Sequence, residues 1–278
     1  MAKPATAKTE LKESAPGAAQ AKSPPTNRAP RLWAIAVIPC YNEELNVAAL
    51  IDEIRRSQPS LDLLFIDDGS TDRSAEIARS KGARVLSHPF NMGYGVALQT
   101  GYEFALGRGY EMVIQLDGDG QHDPSFIEAL RAPVDRGEVE LTVGSRFLEG
   151  HGYVPPFVRR AGMVIFGGIA SIITKRRVTD PTSGFQCLSR PAFRYFTGEH
   201  FPFDYPDADV LILLHRARFR ACEVPVNMRD NPQGRSMHSG LRPIYYVFKM
   251  FLSIIMTLLR EAPIGRLDDA HTATDHDG

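Results

Sequence analysis

Cysteine is scarce. Cys40, Cys187 and Cys222 are the three in 278 residues, and they lie far apart. That is neither a disulfide framework nor zinc-ligand spacing, and it fits a reducing compartment. Net charge is also nearly absent, with 32 Lys and Arg against 33 Asp and Glu, a formal balance of -1. Such a chain has no basic surplus with which to hold nucleic acid. The N-terminal stretch lacks the apolar segment of a secretory leader. The apolar run Ile244 to Leu259 contains Lys249 and is shorter than the roughly twenty residues a membrane span needs. No internal repeat is visible. Residues 1–30 are mostly Ala, Pro, Lys, Thr and Ser, so a solvated, disordered tail is expected there, and another over residues 263–278.

What remains reads as alternating strands and helices from Leu32 to Phe147. Apolar runs such as "LWAIAVIPC", "LDLLFID" and "YEMVIQL" are continuous rather than alternating, as in a parallel sheet covered on both faces. Helical spacing separates them in "NVAALIDEIRRS", in "DRSAEIARSKG" (stopped by Gly82) and in "GVALQTGYEFALGRG". A further helix opens with Asp123 as N-cap and Pro124 in its first turn. In such sheets ligands bind beyond the carboxyl ends of the strands. Three polar clusters follow strand ends, Tyr41–Glu44, Asp67–Asp72 and Asp117–Asp123. They are expected along one edge. The second half reads differently: an apolar segment "AGMVIFGGIASIIT", a turn-like "TDPTSGFQCLSR", a helix "DADVLILLHRARF", a strand "RACEVPVNM", a loop "NPQGRSMHSG" and a last apolar helix.

Asp117 and Asp119 form Asp-x-Asp at a strand end. Two hard oxygen ligands in a Gly-containing loop suit Mg²⁺ or Mn²⁺, ions that complete their shells with water and substrate phosphate. Gln121 offers an amide oxygen. The same residues also make an ordinary solvated turn. A phosphatase using the first Asp as nucleophile has this pattern near its chain start, whereas here a long folded segment precedes it. In "IDDGSTD" the acids suit base or ribose groups, and Ser70, Thr71 or Asp72 suits a helix cap. A phospho-receiver domain would need a Lys after its last strand, and no convincing one is present. "IPCYNEE" offers Tyr41, Asn42 and Glu43, with Asn42 also readable as a cap.

In order and spacing, "IPCYNEE", "IDDGSTD", "NMGYGVALQTG", "QLDGDGQHDP", "VGSRF" and "DPTSGFQ" resemble the family 2 glycosyltransferases of the GT-A fold. Within these the resemblance is to the polyprenyl-phosphate sugar transferases, the group containing dolichyl-phosphate mannose synthases. The resemblance runs from Leu32 to Gly240. It implies a GT-A domain, an α/β fold with a mostly parallel sheet, over residues 31–240. The segment 241–262 would be a helix at a membrane interface or docked on a small integral membrane partner. It implies a nucleotide-sugar donor (UDP- or GDP-) lying against Pro39, Tyr41, Glu43, Asp67 and Asp68. Asp117, Asp119 and Gln121 would hold Mg²⁺ or Mn²⁺ as Lewis acid for the leaving diphosphate. Arg235 and Ser236 match a loop that closes over the diphosphate, though the commoner form is Gly-Glu-Ser. His238, nearby, is a local departure best read as an exposed loop side chain.

The implied acceptor is a polyprenyl phosphate, already largely ionised at neutral pH, which needs positioning more than a base. Arg146 and Arg160 match phosphate-binding positions, with Arg159 the alternative to Arg160, and Val164 stands where relatives often carry Ser. Asp180 and Asp209 match carboxylates near the reaction centre and are candidate bases or sugar ligands, helix capping being the other reading. The expected setting is cytoplasmic, peripheral on the inner membrane face, with no nucleic acid. Two alternatives stay open: a family 2 enzyme acting on a glycan hydroxyl in cell-envelope polysaccharide synthesis, and a non-catalytic nucleotide-sugar-binding subunit of a membrane partner.

Overall fold

A computed structural model describes residues 34–148, 157–199, 201–202, 208–229 and 242–259. The tails at 1–30 and 263–278, and the loop bearing Arg235, Ser236 and His238, lie outside the described residues.

Strand β1, Ala34–Cys40, is buried along its whole length. Its parallel neighbours are β2, Asp62–Asp67, and β4, Met112–Gln115. Beyond β2 lies β3, Arg84–Ser87, also parallel. On the other side come β6, Gln186–Ser189, then β5, Leu141–Ser145, then β7, Ala221–Pro225. The full order is β3-β2-β1-β4-β6-β5-β7. Strand β6 runs antiparallel to both β4 and β5, while β5 and β7 are parallel.

Because successive side chains of a strand point to opposite faces, the residues of β1 divide between two cores. Ala36 and Ile38 pack with Val47, Leu50, Ile51 and Ile54 of helix α1, Glu44–Ser57, and with Ile127 and Leu130 of α4, Ile127–Asp135. Ile35 and Val37 pack with Leu98 and Tyr102 of α3, Tyr94–Gly107, and with Phe193 and Phe196 of α6, Arg190–Phe196. Each large apolar side chain so buried contributes roughly 1.5–3 kcal/mol. Helix α2, Ser74–Ser80, ends before Gly82, which takes a left-handed φ of 74°. Asp123 caps the turn Pro124–Phe126 by accepting from Ser125 N–H, as its sequence position implies.

A third cluster joins Phe166 and Ala170 of α5, Phe157–Thr174, Ile212 of α7, Ala208–Arg216, and Ile254 of α8, Arg242–Leu259.

Two sequence expectations change. "TDPTSGFQCLSR" is not simply turn-like, since it contains β6 and the start of α6. The strand is four residues long with polar ends, Gln186 and Ser189, and carries no periodic signal. Its position comes from pairing on both sides. Asn42 is not a conventional cap: it holds a left-handed φ of 56° and its side chain accepts from the Thr71 N–H.

Helix α3 approaches β1 through Gly101, where an added Cβ would lie 2.2 Å from a Val37 methyl. Gly101→Ala is expected to cost about 1–3 kcal/mol through overpacking. Gly107→Ala, which meets nothing within 4 Å, should be neutral or mildly stabilising. Urea unfolding of the two variants checks this, and equal stabilities would contradict the close approach.

Candidate active site

The carboxyl ends of β1, β2 and β4 present the three polar clusters on one edge. The first two are tied together by hydrogen bonds. Asn42 N–H donates to Ser70 Oγ (3.0 Å) and Glu43 N–H to Ser74 Oγ (2.8 Å). The Asp72 carboxylate accepts from Glu44 N–H (3.1 Å), Ser74 N–H (2.9 Å) and the Ser74 hydroxyl (2.6 Å). Those bonds hold the Asp72 carboxyl below the usual range, against the opposing effect of its partial burial. One carboxylate thus serves the first turns of both α1 and α2. Tyr41 is left 46% exposed, and Glu43 accepts from Asn46.

The neighbouring acids of the second cluster look inward. Asp67 accepts from Ser70 N–H at 3.0 Å. Asp68, 4% exposed, accepts from Met92 N–H (2.8 Å) and Gly93 N–H (2.9 Å) and contacts His88 Nδ1 (2.8 Å). Its side chain therefore fixes the loop leading into α3. Gly69, at φ 74°, sits where a Cβ would press within 2.6 Å of the Phe90 backbone.

In the third cluster Asp117 and Asp119 meet no Lys or Arg salt bridge among the described residues, whereas Asp123 meets Arg229. Asp117 accepts a 2.7 Å hydrogen bond from the Tyr94 hydroxyl. Its N–H donates to His122 Nδ1 at 3.0 Å. His122 is buried, stacks on Phe185 at 4.9 Å, and is pushed by burial toward its neutral form. With Nδ1 accepting, Nε2 carries the proton, 3.5 Å from Asp117 Oδ2. Asp119 accepts from Gln121 N–H at 3.0 Å. Its carboxyl is pushed up to about 7, first by burial, then by the charge of Asp117 and, less, of Glu43. Gln121 turns its amide nitrogen toward Arg229 O at 3.4 Å, and Arg229 N–H returns a bond to Gln121 O at 2.9 Å. The Arg229 guanidinium contacts Glu53 (2.6 Å) and Asp123 (3.3 Å). These contacts anchor the segment that follows β7 beside the Asp117–Asp123 loop.

Two half-buried carboxylates, one resisting ionisation first because of burial and then because of the other, suit a hard divalent cation. Among the described residues no group of three or more His, Cys, Asp or Glu is arranged to hold a metal. The pair offers two ligands, and an ion held there would take its others from phosphate and water.

Arg146 and Asp180, expected from sequence to face substrate, face each other. The guanidinium donates through Nε and Nη2 to the two Asp180 oxygens at 2.6 Å each, and Arg146 N–H adds a bond of 3.1 Å. The two are 6% and 0% exposed. Arg146 is therefore a buried side chain rather than a surface charge at the strand end. Glu223, its carboxyl pushed up chiefly by burial, accepts from the N–H groups of Thr179 and Asp180 at 2.8 Å and clamps this loop. Asp209 is also 0% exposed and accepts from Ser253 of α8 and from Val210 N–H. Pro39 lies within buried β1, with its carbonyl 2.9 Å from where a Gly118 Cβ would sit. Arg159 and Arg160 fall in the first turn of α5, and Val164 further along it.

Sequence reasoning passed over Tyr94, Gln115, Tyr102, Gly184 and Arg229, and gave His122 no role. Tyr94 falls inside a quoted motif, but a tyrosine at a helix start reads as core from sequence alone.

The model for glycosyl transferase family 2 matches residues 35–196, more than half the chain. An undecaprenyl-phosphate mannosyltransferase of Micrococcus luteus is 26% identical over 215 residues, 74% of this chain and 87% of that one. The polyprenol monophosphomannose synthase of Mycolicibacterium smegmatis is 30% identical over 132 residues, 45% of this chain and 49% of its own length. Among solved structures, glucosyl-3-phosphoglycerate synthase from Mycobacterium tuberculosis, with Mn²⁺, UDP-glucose and phosphoglyceric acid, superposes with a TM-score of 0.61. It is 22% identical, and 81% of this chain and 79% of that one are covered. The sheet and its helices are those of the GT-A fold. The chain belongs to glycosyl transferase family 2.

Removing Arg146 would leave Asp180 charged and buried without its partner. Arg146→Ala is expected to lose about 3–5 kcal/mol of stability, measured by urea unfolding; unchanged stability would show that the pair does not brace this loop. Asp119 makes a pH prediction. Its folded-state value of about 7 lies above the ordinary carboxylate near 4, so the cation-free fold binds extra protons between about pH 4 and 7. This group's contribution to stability is therefore full below that window and falls as pH rises through it. Mn²⁺ must displace the proton, so its affinity should rise with pH and level off above about 7. Calorimetric titration with Mn²⁺ across this range tests it, and a flat profile would contradict it.

Proposed function

We propose that this chain transfers a sugar, with inversion, from a nucleoside-diphosphate sugar to a polyprenyl phosphate at the cytoplasmic membrane face. The observation that carries the acceptor assignment is the state of the two expected bases. Asp180 is closed off by Arg146 and Asp209 by Ser253, both at 0% exposure. A hydroxyl acceptor needs a base to take its proton. A phosphate monoester arrives ionised and needs alignment, which the edge can supply without either carboxylate. The polyprenyl-phosphate relatives support the same acceptor class.

In this reading Pro39, Tyr41, Glu43 and Asp67 line the nucleotide end, while Asp68 supports the pocket through the 91–93 loop. Asp117 and Asp119 hold Mg²⁺ or Mn²⁺, with Gln121 beside them. The cation supplies charge neutralisation to the departing diphosphate. The acceptor phosphate oxygen forms its bond to C1 of the sugar as the C1–O bond to the diphosphate breaks on the opposite face. The electron pair leaves with the nucleoside diphosphate. Arg160, or Arg159, holds the acceptor phosphate as a guanidinium fork. Arg235 and Ser236 close over the donor.

The lipid is met on the helical side. No described helix is long and apolar enough to cross a membrane. Helix α8 leaves Leu252, Ile255, Met256 and Leu259 exposed, and Ile172 of α5 is 79% exposed. Exposed Lys175, Arg176 and Arg177 follow α5. Apolar residues beside basic ones suit an anionic bilayer surface, which supports peripheral association of the segment 241–262.

A donor screen tests the proposal. The protein is incubated with UDP- and GDP-sugars, Mg²⁺ or Mn²⁺ and a short polyprenyl phosphate, and glycolipid is detected by mass. Product with one donor is expected, lost in Asp119→Ala although that variant stays folded. Absence of glycolipid with every donor, membrane extract included, would sink the reading. Mn²⁺ and donor binding without release of nucleoside diphosphate would instead indicate a binding subunit.

A further inference from the structure

Asp117 stands at the end of a chain of side-chain hydrogen bonds that runs back into the core. The Tyr102 hydroxyl donates to Gln115 Oε1 at 2.6 Å, and the bond is buried. Gln115 Nε2 donates to the Tyr94 oxygen at 3.1 Å. The Tyr94 hydroxyl then donates to Asp117 Oδ1 at 2.7 Å. Directionality is set throughout. A carboxylate only accepts, so the Tyr94 proton points at Asp117, its lone pair takes the Gln115 amide proton, and the Gln115 oxygen takes the Tyr102 proton. Gln115 is 2% exposed and Tyr102 1% exposed.

The surroundings close the remaining freedom. A Cβ on Gly184 would lie 2.8 Å from the Tyr94 oxygen and 3.1 and 3.2 Å from the Asp117 oxygens. From the opposite end of the residue, His122 Nδ1 accepts the Asp117 N–H. Backbone and carboxylate of one aspartate are therefore held by groups from α3, from β4 and from the residue that stacks on Phe185. Such support normally exists to fix a ligating carboxylate in one orientation.

We infer that Tyr94, braced by Gln115 and Tyr102, is a positioning residue for cation binding at Asp117: it holds the carboxylate in the single rotamer that ligates. The inference rests on the reading that Asp117 and Asp119 hold the divalent ion. It assigns a function to Tyr94, Gln115 and Tyr102.

The test is Mn²⁺ binding alone, without nucleotide sugar, by calorimetric titration of the full chain. Tyr94→Phe is expected to weaken Mn²⁺ affinity about 10–100-fold, as loss of an outer partner of a metal ligand does. Tyr102→Phe, one step removed, should weaken it less. Because Tyr94→Phe leaves the Gln115 amide short of a partner, a triple variant is also made, Tyr94→Phe with Gln115→Met and Tyr102→Phe. It replaces every polar member by an apolar one of similar shape, a change that folding tolerates well. A purely structural network predicts native Mn²⁺ affinity in that variant once melting shows it folded, and such a result overturns the inference. Weakened affinity in the folded triple variant supports it. Asp119→Ala separates the underlying reading. If it abolishes Mn²⁺ binding while Tyr94→Phe binds as the parent does, the cation site stands and the positioning role falls. If Asp119→Ala binds Mn²⁺ normally, the cation site itself is elsewhere and both fall.

Discussion

Two carboxylates separated by one glycine at the end of β4 repel each other, and most of the edge around them is organised by that repulsion. In water the two charges would be screened and the turn unremarkable. Here Asp119 is desolvated enough for its carboxyl to be pushed up to about 7 by burial and by Asp117. The fold holds the pair in place with neutral groups: the Tyr94 hydroxyl, the uncharged His122 ring, the Gln121 N–H and the close Pro39 carbonyl against Gly118. None of these cancels the charge. The pair stays uncompensated by any cationic side chain among the described residues, a condition that suits a divalent ion.

The other acids of the edge show the contrast. Asp72 is satisfied by two backbone N–H groups and a serine, Asp68 by two N–H groups and His88, and Asp180 by a bidentate guanidinium. Each is compensated inside the protein, and each ties two segments together. An acid-rich edge is therefore two populations with different physics. Compensated acids build the loops, and the pair without such partners is the one proposed to take an external cation. For the same reason Asp180 and Arg146 work as a brace: a buried pair with 2.6 Å contacts has little charge to offer a substrate.

The helical side answers a separate constraint. Helices α5, α7 and α8 meet through Phe166, Ala170, Ile212 and Ile254, with the Phe166 and Phe251 rings 5.2 Å apart. That small cluster buries one side of α8 and leaves much of its apolar surface outward. Asp209, accepting from Ser253, is a polar link between α7 and α8. The acidic edge and the apolar helices are thus separate faces of one sheet, which would give the proposed lipid-borne acceptor and soluble donor separate approaches.

Much of this was legible in the residue order. Continuous apolar strands, Gly82 as a stop and Asp123 with Pro124 as a start are local signals. Each depends on a few neighbouring residues, and the structure carries them all. The gathering of the polar clusters also follows from sequence, because alternating strand and helix put every strand end on the same edge. Three features depended on tertiary structure. β6 has no periodic signal and exists as a strand because β4 and β5 offer hydrogen-bond partners on both sides. Arg146 and Asp180 are 34 residues apart, so their mutual neutralisation is a through-space fact. Tyr94 reads as a core tyrosine until Gln115, Tyr102 and Gly184 are brought around it. The sequence by itself determined which acids reach the edge; tertiary contact decided which of them are compensated, because compensation depends on partners brought in from distant segments.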